Sequence, residues 1–273
     1  MLKESFLKAL VAEDIGRGDL FSRISESKEI RAFIIAKSDG VFAGREYIDV
    51  LAKMYDLSLI WEVKDGESFK KGDKLLFVTG DSKYILSLER SILDIALHAS
   101  SIATLTSHYV DAIRETGVKL LDTRKTRPLL RAFEKYAVRC GGGINHRMGL
   151  DDCLMLKDTH LQTIDNLDAF MKEVRQKIPF TSKVEIECES LYMVKKAMKA
   201  GADIVMCDNM STDEMQEVVA YRNENYPHIL LEASGNVTLD TIAKIAKTGV
   251  DAISSGSVIH QANWIDLSMK VEK

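Results

Sequence analysis

The sequence predicts an α/β protein whose second half is built from repeated β/α units. Short apolar runs recur from residue 118 onward, and each is followed by a polar turn and then a helical pattern. From residue 184 onward these units follow one another at a spacing of about 20 to 25 residues. The chain has 273 residues, of which 46% are hydrophobic, and can therefore form one large domain or two modest ones.

The first half has a mixed pattern of helices and strands. Helical periodicity covers residues 2–11, and a second helical stretch lies near residues 47–55. Apolar runs at residues 30–36 and 75–78 predict strands. A long helix with few breaking residues is predicted over residues 81–115.

The second half alternates strands and helices regularly. Strands are predicted at residues 118–121, 154–156, 184–186, 204–206, 229–231 and 252–253. Helices are predicted at residues 129–138, 167–174, 191–200, 212–221 and 239–246. Such alternation implies parallel strands joined by crossover helices, and six units could close into a barrel smaller than the usual eight.

Charged and small polar residues stand directly after nearly every predicted strand. In β/α barrels, catalytic groups gather at the carboxyl ends of the strands. Here these positions are Asp122–Lys125, Lys157–His160, Glu187, Asp208–Asn209, Glu232–Gly235 and Ser254–Gly256. We therefore expect a functional site where the strands end.

The strand that begins at residue 184 carries alternating glutamates, Glu185, Glu187 and Glu189. Because side chains alternate across a strand, the three share one face and point into the predicted barrel. Buried carboxylates are costly unless cations or a metal compensate them. A solvated edge strand is the alternative interpretation.

Basic residues that could compensate these carboxylates also follow strands or lie beside a triple glycine. They are Arg124, Lys125, His146, Arg147 and Lys157. Any one of them could be a solvated surface charge, but together they suit a substrate with more than one anionic group.

Two turns, Ser234–Gly235 and Ser255–Gly256, follow the last two strands. Late strands of β/α barrels often bind phosphate through loop N–H groups at a helix start. Each turn by itself is a weak signal, but their shared position favours a phosphate site.

Composition argues against several classes of function. The net charge is -4, so nothing global favours nucleic acid or anionic membranes. No stretch approaches the roughly 20 apolar residues of a membrane span. The four cysteines lack C-x-x-C spacing, which favours reduced thiols and a cytoplasmic location. Without a Walker or G-x-G-x-x-G motif, a nucleoside triphosphatase or a Rossmann dehydrogenase is disfavoured.

The central motifs resemble those of the quinolinate phosphoribosyltransferase family. They are Asp122-Thr123-Arg124-Lys125-Thr126, Glu134–Val138, Gly141-Gly142-Gly143, Asn145-His146-Arg147, Leu156-Lys157-Asp158 with His160, Glu185–Glu187, Cys207–Asn209 and Glu232–Asn236. The resemblance runs from about residue 13 to residue 260, and the stretch from Asp122 to His160 is highly specific.

The resemblance implies a fold and a reaction. The fold is an N-terminal α/β sandwich, residues 1–105, followed by an incomplete six- or seven-stranded α/β barrel, residues 106–265, with a tail, residues 266–273, that packs on the sandwich. The reaction joins quinolinate and phosphoribosyl pyrophosphate, with Mg²⁺, into nicotinate mononucleotide, pyrophosphate and CO₂. This is a step of NAD biosynthesis, and the implied assembly is a homodimer with shared active sites, or a hexamer.

The resemblance also implies roles for particular residues. Arg90 would reach the partner's site, while Arg124, His146, Arg147 and Lys157 would hold the quinolinate carboxylates. Lys125 would lie near both substrates, and Glu187 and Asp208 would serve the ribose hydroxyls and Mg²⁺. The expected catalytic groups are Lys125, Glu187 and Asp208, and the expected phosphate ligands are Ser234, Gly235, Ser255 and Gly256.

Some positions depart from the family's commonest pattern, namely Arg127, Leu129, Thr159, Ser255 and Ser257. None of them removes a charged group assigned above, although Arg127 adds a cation of unassigned role. Two alternatives stay open. One is the paralogous family associated with molybdenum transport, and the other is a non-catalytic protein that binds quinolinate or phosphoribosyl pyrophosphate.

Overall fold

The computed structural model describes residues 3–272, which divide into two units. The antiparallel-sheet unit comprises the residues up to 107 together with 132–142 and those from 261 onward. The parallel-sheet unit comprises residues 108–131 and 143–260. Residue 2 of the first predicted helix and residue 273 of the predicted tail lie outside the described residues. The boundaries at residues 105 and 265 stay predictions.

The antiparallel-sheet unit contains five helices and six strands among its described residues. The helices are α1 (Lys3–Ile15), α2 (Leu20–Ile24), α3 (Arg45–Met54), α4 (Ser82–Ile113) and α5 (Arg131–Cys140). The strands are β1 (Glu29–Ala36), β2 (Gly40–Val41), β3 (Ser58–Trp61), β4 (Ser68–Phe69), β5 (Lys74–Asp81) and β12 (Leu267–Val271). Helix α4 continues through residues 108–113 into the other unit, and α5 begins there at Arg131.

Four of these strands form an antiparallel sheet in the order β12-β1-β5-β3. Both strands predicted in the first half, β1 and β5, lie at its centre and pair from Glu29 with Asp81 to Ile35 with Lys74. The last strand, β12, returns from the end of the chain and pairs with β1, with Ile34 opposite Met269. Residues beyond 266 therefore supply an edge strand of this sheet.

The parallel-sheet unit alternates strands and helices, as the sequence predicts. Its strands are β6 (Lys119–Leu121), β7 (Leu154–Leu156), β8 (Val184–Cys188), β9 (Ile204–Asp208), β10 (Leu230–Ser234) and β11 (Ala252–Ser254). Its helices are α6 (Asp158–Leu161), α7 (Leu167–Lys177), α8 (Leu191–Lys199), α9 (Thr212–Asn225), α10 (Leu239–Ala246) and α11 (Ser257–His260).

The six parallel strands have the order β6-β11-β10-β9-β8-β7. The sheet is not closed, since β6 and β7 are its edges; on the β6 side, Leu121 forms one further bridge with Ile144. The prediction of an incomplete six- or seven-stranded barrel is therefore confirmed, with six strands, and the possibility that the six units close is not realised.

Local sequence explains where the helices of this unit begin. Ser211 caps α9 through a capping box, in which its hydroxyl accepts the Glu214 N–H and the Glu214 carboxylate accepts the Ser211 N–H. Ser190 caps α8 by accepting the Met193 N–H. The preceding strand β8 is buried along its whole length, as expected for a parallel strand covered on both faces.

An ion pair joins α9 to the sheet. The guanidinium of Arg222 donates from Nη1 to the Asp251 carboxylate at 2.7 Å and to the Ile229 carbonyl at 2.9 Å. The same Asp251 oxygen accepts the Leu231 N–H at 2.7 Å. Because Arg222 is buried, these bonds fix the helix against the strands that carry part of the site.

Two local predictions are wrong. The helix predicted from residue 129 begins at Arg131, because Leu129 has a left-handed backbone, φ 65°, and is exposed. Glu189 does not share the buried face of Glu185 and Glu187, because β8 ends at Cys188 and Glu189 is exposed. Within residues 3–272, no helix combines the length and apolar character needed to cross a bilayer.

Candidate active site

A cavity of about 650 Å³ lies in the parallel-sheet unit, at the carboxyl ends of its strands. Its lining residues are Thr123, Arg124, Lys125, His146, Arg147, Leu150, Met155, Lys157, His160, Glu187, Met206, Asp208, Asn209, Glu232, Ser234, Gly235, Asn236 and Ser254. The expected concentration of charge at the strand ends is therefore a single concave site, the usual location of chemistry in β/α barrels.

The register of the central strands sets the level of each acidic side chain. Glu187 of β8 and Glu232 of β10 both stand opposite Met206 of β9, one on each side. Two residues further along β9 and β10, on the same face of the sheet, Asp208 stands opposite Ser234. All five side chains line the cavity, so its floor alternates carboxylates with a thioether and a hydroxyl.

The ammonium group of Lys157 contacts the carboxylate of Glu187. Lys157 directly follows β7, and Leu156 pairs with Ile186, so the two residues lie at the same level of adjacent strands. Glu187 is nearly buried whereas the lysine is 44% exposed, so the cation reaches the carboxylate from the solvent side of the cavity.

Two arginines line one part of the cavity, and among residues 3–272 no carboxylate forms an ion pair with either guanidinium. Arg147 donates from Nη1 to the Cys153 carbonyl at 2.9 Å. Nε of Arg124 is buried and has no hydrogen-bond partner among the described residues. Burial, and after it the charge of Arg124, lowers the pKa of Arg147. This part of the cavity is therefore positive and would be stabilised by an anion.

Asp122 orders the glycine-rich loop that carries His146. It is fully buried, and its two carboxylate oxygens accept the Asn145 side-chain amide at 2.6 Å and the His146 backbone N–H at 2.8 Å. Since a buried carboxylate must be compensated, these bonds both stabilise Asp122 and hold the end of the loop that follows the triple glycine.

His146 lies between two buried glutamates. Its Nε2 is 3.2 Å from a carboxylate oxygen of Glu185 and 3.2 Å from one of Glu232. Burial opposes the charged ring, but the two carboxylates outweigh burial and raise the pKa of His146 to about 10. Burial, partly countered by His146, raises the pKa of Glu185. When protonated, the ring brings positive charge to a cavity whose floor is acidic.

The same three residues place one possible ligand atom each within 4.8 Å of one another, a spacing that a metal ion accepts. The hydrogen bonds of the ring argue against a metal there. Nδ1 of His146 accepts the Arg147 N–H at 2.6 Å, so the neutral ring keeps its proton on Nε2, the atom that faces the glutamates. A second proton must displace that amide bond, which opposes part of the rise in pKa.

The comparisons with known proteins identify the family. The C-terminal domain model of quinolinate phosphoribosyl transferase matches residues 102–270, and the N-terminal domain model matches residues 19–100. The chain belongs to the quinolinate phosphoribosyl transferase family. The resemblance drawn from the motifs between Asp122 and His160 is thereby confirmed.

Relatives and solved structures agree with this family over nearly the whole chain. A relative in Synechocystis sp., a probable carboxylating nicotinate-nucleotide pyrophosphorylase, is 38% identical over 98% of this chain and 92% of its own length. The nicotinate-nucleotide pyrophosphorylase structure from Francisella tularensis superposes with a TM-score of 0.91 at 33% identity, covering 99% of this chain and 96% of the other. NadC from Streptococcus pyogenes gives 0.92 at 35% identity, covering 98% and 96%.

Most side chains that the family pattern selects line the cavity. They are Arg124, Lys125, His146, Arg147, Lys157, Glu187, Asp208, Ser234 and Gly235. Ser255 and Gly256 are not among the described lining residues, although a side chain at Gly256 would come within 3.1 Å of Lys125. Arg90 is not among them either; it is exposed on α4 and pairs with Asp94 at 3.3 Å. The roles of all these residues stay predictions.

Several lining residues stand at the strand ends or in the motifs noted in the sequence but were given no role there. Glu232 could have been given one, because it has the same parity on β10 as Ser234 and therefore faces the same way. Asn209 and Asn236 carry a different signal, since an asparagine one or two residues after a strand can adopt left-handed backbone more easily than most residues. That signal is frequent in ordinary turns, so the sequence by itself would not have separated them.

Proposed function

We propose that the chain transfers a phosphoribosyl group from phosphoribosyl pyrophosphate to quinolinate and releases CO₂, which gives nicotinate mononucleotide and pyrophosphate for NAD biosynthesis. It would thus be a pentosyltransferase, a carboxylating nicotinate-nucleotide pyrophosphorylase like the relatives it matches. The observation that carries this proposal is the joint presence, in one cavity, of a cluster of cations and a pair of carboxylates.

The cations suit quinolinate, a pyridine with two adjacent carboxylates. Arg124 and Arg147 present guanidinium groups that can each bind a carboxylate through two parallel bonds. The buried Nε of Arg124 would gain a partner when an anion binds. His146 and Lys157 add two further positive groups at the same cavity.

The carboxylates suit the ribose of the second substrate. As the bond to pyrophosphate breaks, positive charge develops on the ribose, and Glu187 and Asp208 would stabilise it. Lys125 would stabilise the negative charge that gathers on the departing pyrophosphate. The turn at Ser234 and Gly235 would hold the 5′-phosphate, together with Ser255 and Gly256.

Mg²⁺ fits the same residues. Glu187 and Asp208 offer carboxylate oxygens, the donors that this ion prefers, and the contact between Glu187 and the Lys157 ammonium marks the place as favourable to a cation. When bound, the ion would neutralise charge on the pyrophosphate. Glu187 and Asp208 are the residues proposed to hold it, directly or through water.

Loss of CO₂ follows from the chemistry of the ring. The pyridine nitrogen donates its lone pair to the ribose carbon, and the electrons of the broken bond leave with pyrophosphate. The ring then carries positive charge, so the carbon next to nitrogen can release its carboxylate as CO₂, keep the electron pair and take up a proton. The main task of the protein is to hold two polyanions in this geometry, which can supply much of the rate enhancement.

The proposed assembly is a homodimer with shared active sites, with a hexamer as the larger alternative. In this assembly Arg90 of one protomer would reach the cavity of the other. The exposure of the Arg90 side chain, 57%, makes it accessible to a second protomer. A cytoplasmic location stays a prediction.

Release of labelled CO₂ from carboxyl-labelled quinolinate tests the proposed function. Release should require phosphoribosyl pyrophosphate and Mg²⁺ together. Release without phosphoribosyl pyrophosphate would indicate a simple decarboxylase. Binding of either compound without release would instead favour a binding protein, and absence of both would favour the molybdenum-associated paralogue.

A further inference from the structure

We propose that Asn209 and Asn236 are positioning residues that orient the Asp208 carboxylate, and that through it they set the affinity for phosphoribosyl pyrophosphate but not for quinolinate. This inference rests on the proposed function, because it takes Asp208 as a ligand of the phosphoribosyl half of the cavity. It concerns two side chains that the motif comparison leaves without a role.

The three residues form a directed chain of hydrogen bonds. The side-chain amide of Asn209 donates from Nδ2 to Oδ2 of Asp208 at 2.9 Å. The amide of Asn236 donates from Nδ2 to Oδ1 of Asn209 at 3.0 Å. All three residues line the cavity, so the chain runs along its wall and ends on the carboxylate.

The direction of this chain is determined by its carboxylate end. An ionised carboxylate only accepts, so Asn209 must turn its NH₂ group toward Asp208 and its oxygen away. That oxygen can be satisfied only by a donor, which is the NH₂ group of Asn236. Each bond therefore polarises the next, and the alternative orientation of either amide would bring two oxygens together.

The backbone is built to bring these side chains together. Asn209 and Asn236 follow the neighbouring strands β9 and β10, and both have left-handed backbone, with φ of 54° and 49°. The Asn209 N–H also donates to the Ser234 carbonyl at 3.0 Å, which ties the two strand ends. Non-glycine residues in this region are uncommon and cost energy, so a pair of them at neighbouring strand ends must be compensated by side-chain contacts.

The close approach of residue 235 to Asn209 requires glycine at this position. The φ of Gly235 is 91°, and a side chain there would collide with the amide of Asn209 and lie 2.8 Å from its backbone nitrogen. The turn between β10 and Asn236 therefore leaves room for the Asn209 side chain, and only glycine fits at residue 235.

Holding one oxygen of Asp208 reduces the number of orientations that the carboxylate can adopt. Asn209 is the one described residue that donates a side-chain hydrogen bond to it. Without the amide the carboxylate would rotate more freely, and binding of the ribose or of Mg²⁺ would have to order it. The cations assigned to quinolinate take no part in this chain, so quinolinate binding should be insensitive to it.

Substitution by glycine separates the side chain from the backbone, because glycine keeps the left-handed conformation without strain. We expect Asn209→Gly to weaken phosphoribosyl pyrophosphate binding about tenfold, the value of one charge-assisted bond, and Asn236→Gly about threefold. Asn236→Asp keeps the shape of the side chain but places a carboxylate oxygen against Oδ1 of Asn209. It should therefore weaken phosphoribosyl pyrophosphate binding more than Asn236→Gly does. Asp56→Gly is the matched control, since Asp56 has φ 54° and lies in the other unit.

Calorimetry gives the readout. Phosphoribosyl pyrophosphate is titrated, with and without Mg²⁺, into protein saturated with phthalate, a dicarboxylate without the attacking nitrogen. Phthalate itself is titrated separately. In the asparagine variants, the affinity for phosphoribosyl pyrophosphate should fall and the affinity for phthalate should stay unchanged. Equal loss of both affinities, or loss of neither, would overturn the inference.

The kinetic assay keeps this inference distinct from the proposed function. If the unmodified protein releases CO₂ but the glycine variants keep its KM for phosphoribosyl pyrophosphate, the inference is wrong and the proposed function stands. If the unmodified protein binds phosphoribosyl pyrophosphate without releasing CO₂, the proposed function is wrong and the calorimetric series still decides the inference. If it does not bind this ligand at all, both are wrong.

Discussion

Lys157 and Glu187 meet inside the cavity as an ion pair between the ends of neighbouring strands. A lysine assigned to one substrate thus contacts a carboxylate assigned to the other. Quinolinate would draw Lys157 away from Glu187, and the ribose or Mg²⁺ would draw Glu187 away from Lys157. Binding of one substrate would therefore change the electrostatic environment of the other.

Lys157→Ala should weaken quinolinate binding by about tenfold to a hundredfold, the value of one hydrogen bond to a charged group. The protein should stay folded, because the lysine is 44% exposed. Calorimetry with quinolinate measures the effect. Lys172→Ala, which removes an exposed lysine on α7 outside the cavity lining, is the control. Normal affinity in Lys157→Ala would remove this residue from the quinolinate site.

Arg124→Lys should weaken quinolinate binding by roughly tenfold or more, the value of one charge-assisted hydrogen bond, although the positive charge is kept. Lysine cannot replace the buried Nε–H or the planar two-bond geometry. Arg124→Ala should lose more. Arg114→Lys changes an exposed arginine and serves as the control in the same titration. Equal affinities for Arg124→Lys and the unmodified protein would show that only charge matters at this position.

Glu232→Gln should lower the pKa of His146 by about one unit or more, because it removes one of two paired carboxylates. The pKa of about 10 lies above the ordinary 6.5, so the pairing stabilises the fold fully below pH 6.5 and this contribution is lost as the pH rises through 10. Nuclear magnetic resonance of the ring nitrogens measures the shift. His228, an exposed histidine, provides the internal reference. An unchanged His146 pKa would mean that Glu185 suffices.

Mixing two inactive variants tests the shared site. Arg90→Ala in one protomer should inactivate the cavity of its partner, whereas Glu187→Ala should inactivate the cavity of the protomer that carries it. A mixed dimer would therefore contain one complete site. Subunit exchange should therefore restore up to about a quarter of the activity, given random mixing of protomers. Proven mixed dimers without activity would contradict the placement of Arg90. Two samples of the same variant, mixed in the same way, give the baseline.

Arg222→Ala should lower the free energy of unfolding by about 2 to 3 kcal/mol, less than the loss of a fully buried pair, because Asp251 is 38% exposed. Arg175→Ala is the matched variant. It breaks a pair with Asp203 at 2.9 Å in which both side chains are at least one third exposed, so about 1 kcal/mol or less is expected. Urea unfolding measures both. Equal losses would show that burial does not distinguish the two pairs.

The alternation of strands and helices was predictable because each element repeats a strong local pattern. Strands β7 and β8 and helices α8 and α10 begin within one residue of the predicted positions. The helix start predicted at Leu129 was wrong because helical periodicity does not reveal a left-handed residue just before a helix. The edge strands β3 and β12 were missed because they are short and amphipathic, and their pairing depends on β5 and β1 rather than on their own sequence.

The acidic floor was predictable from strand parity, since Glu185 and Glu187 alternate with apolar residues on one strand. The partners of these residues were not. His146 reaches Glu185 and Glu232 only because the glycine-rich loop is held by Asp122 and the strands lie side by side. Such pairings depend on strand order, which periodicity does not specify.

Strand β12 also constrains the order in which the molecule can be completed. It pairs with β1 but is separated from it along the chain by the whole parallel-sheet unit. During synthesis, which proceeds from the N-terminus, the first sheet must therefore wait with an unpaired edge on β1 until residues 108–260 have been made. The antiparallel-sheet unit therefore begins first and is completed last, so a chaperone or a ribosome pause that protects the β1 edge would act in the interval before β12 is made.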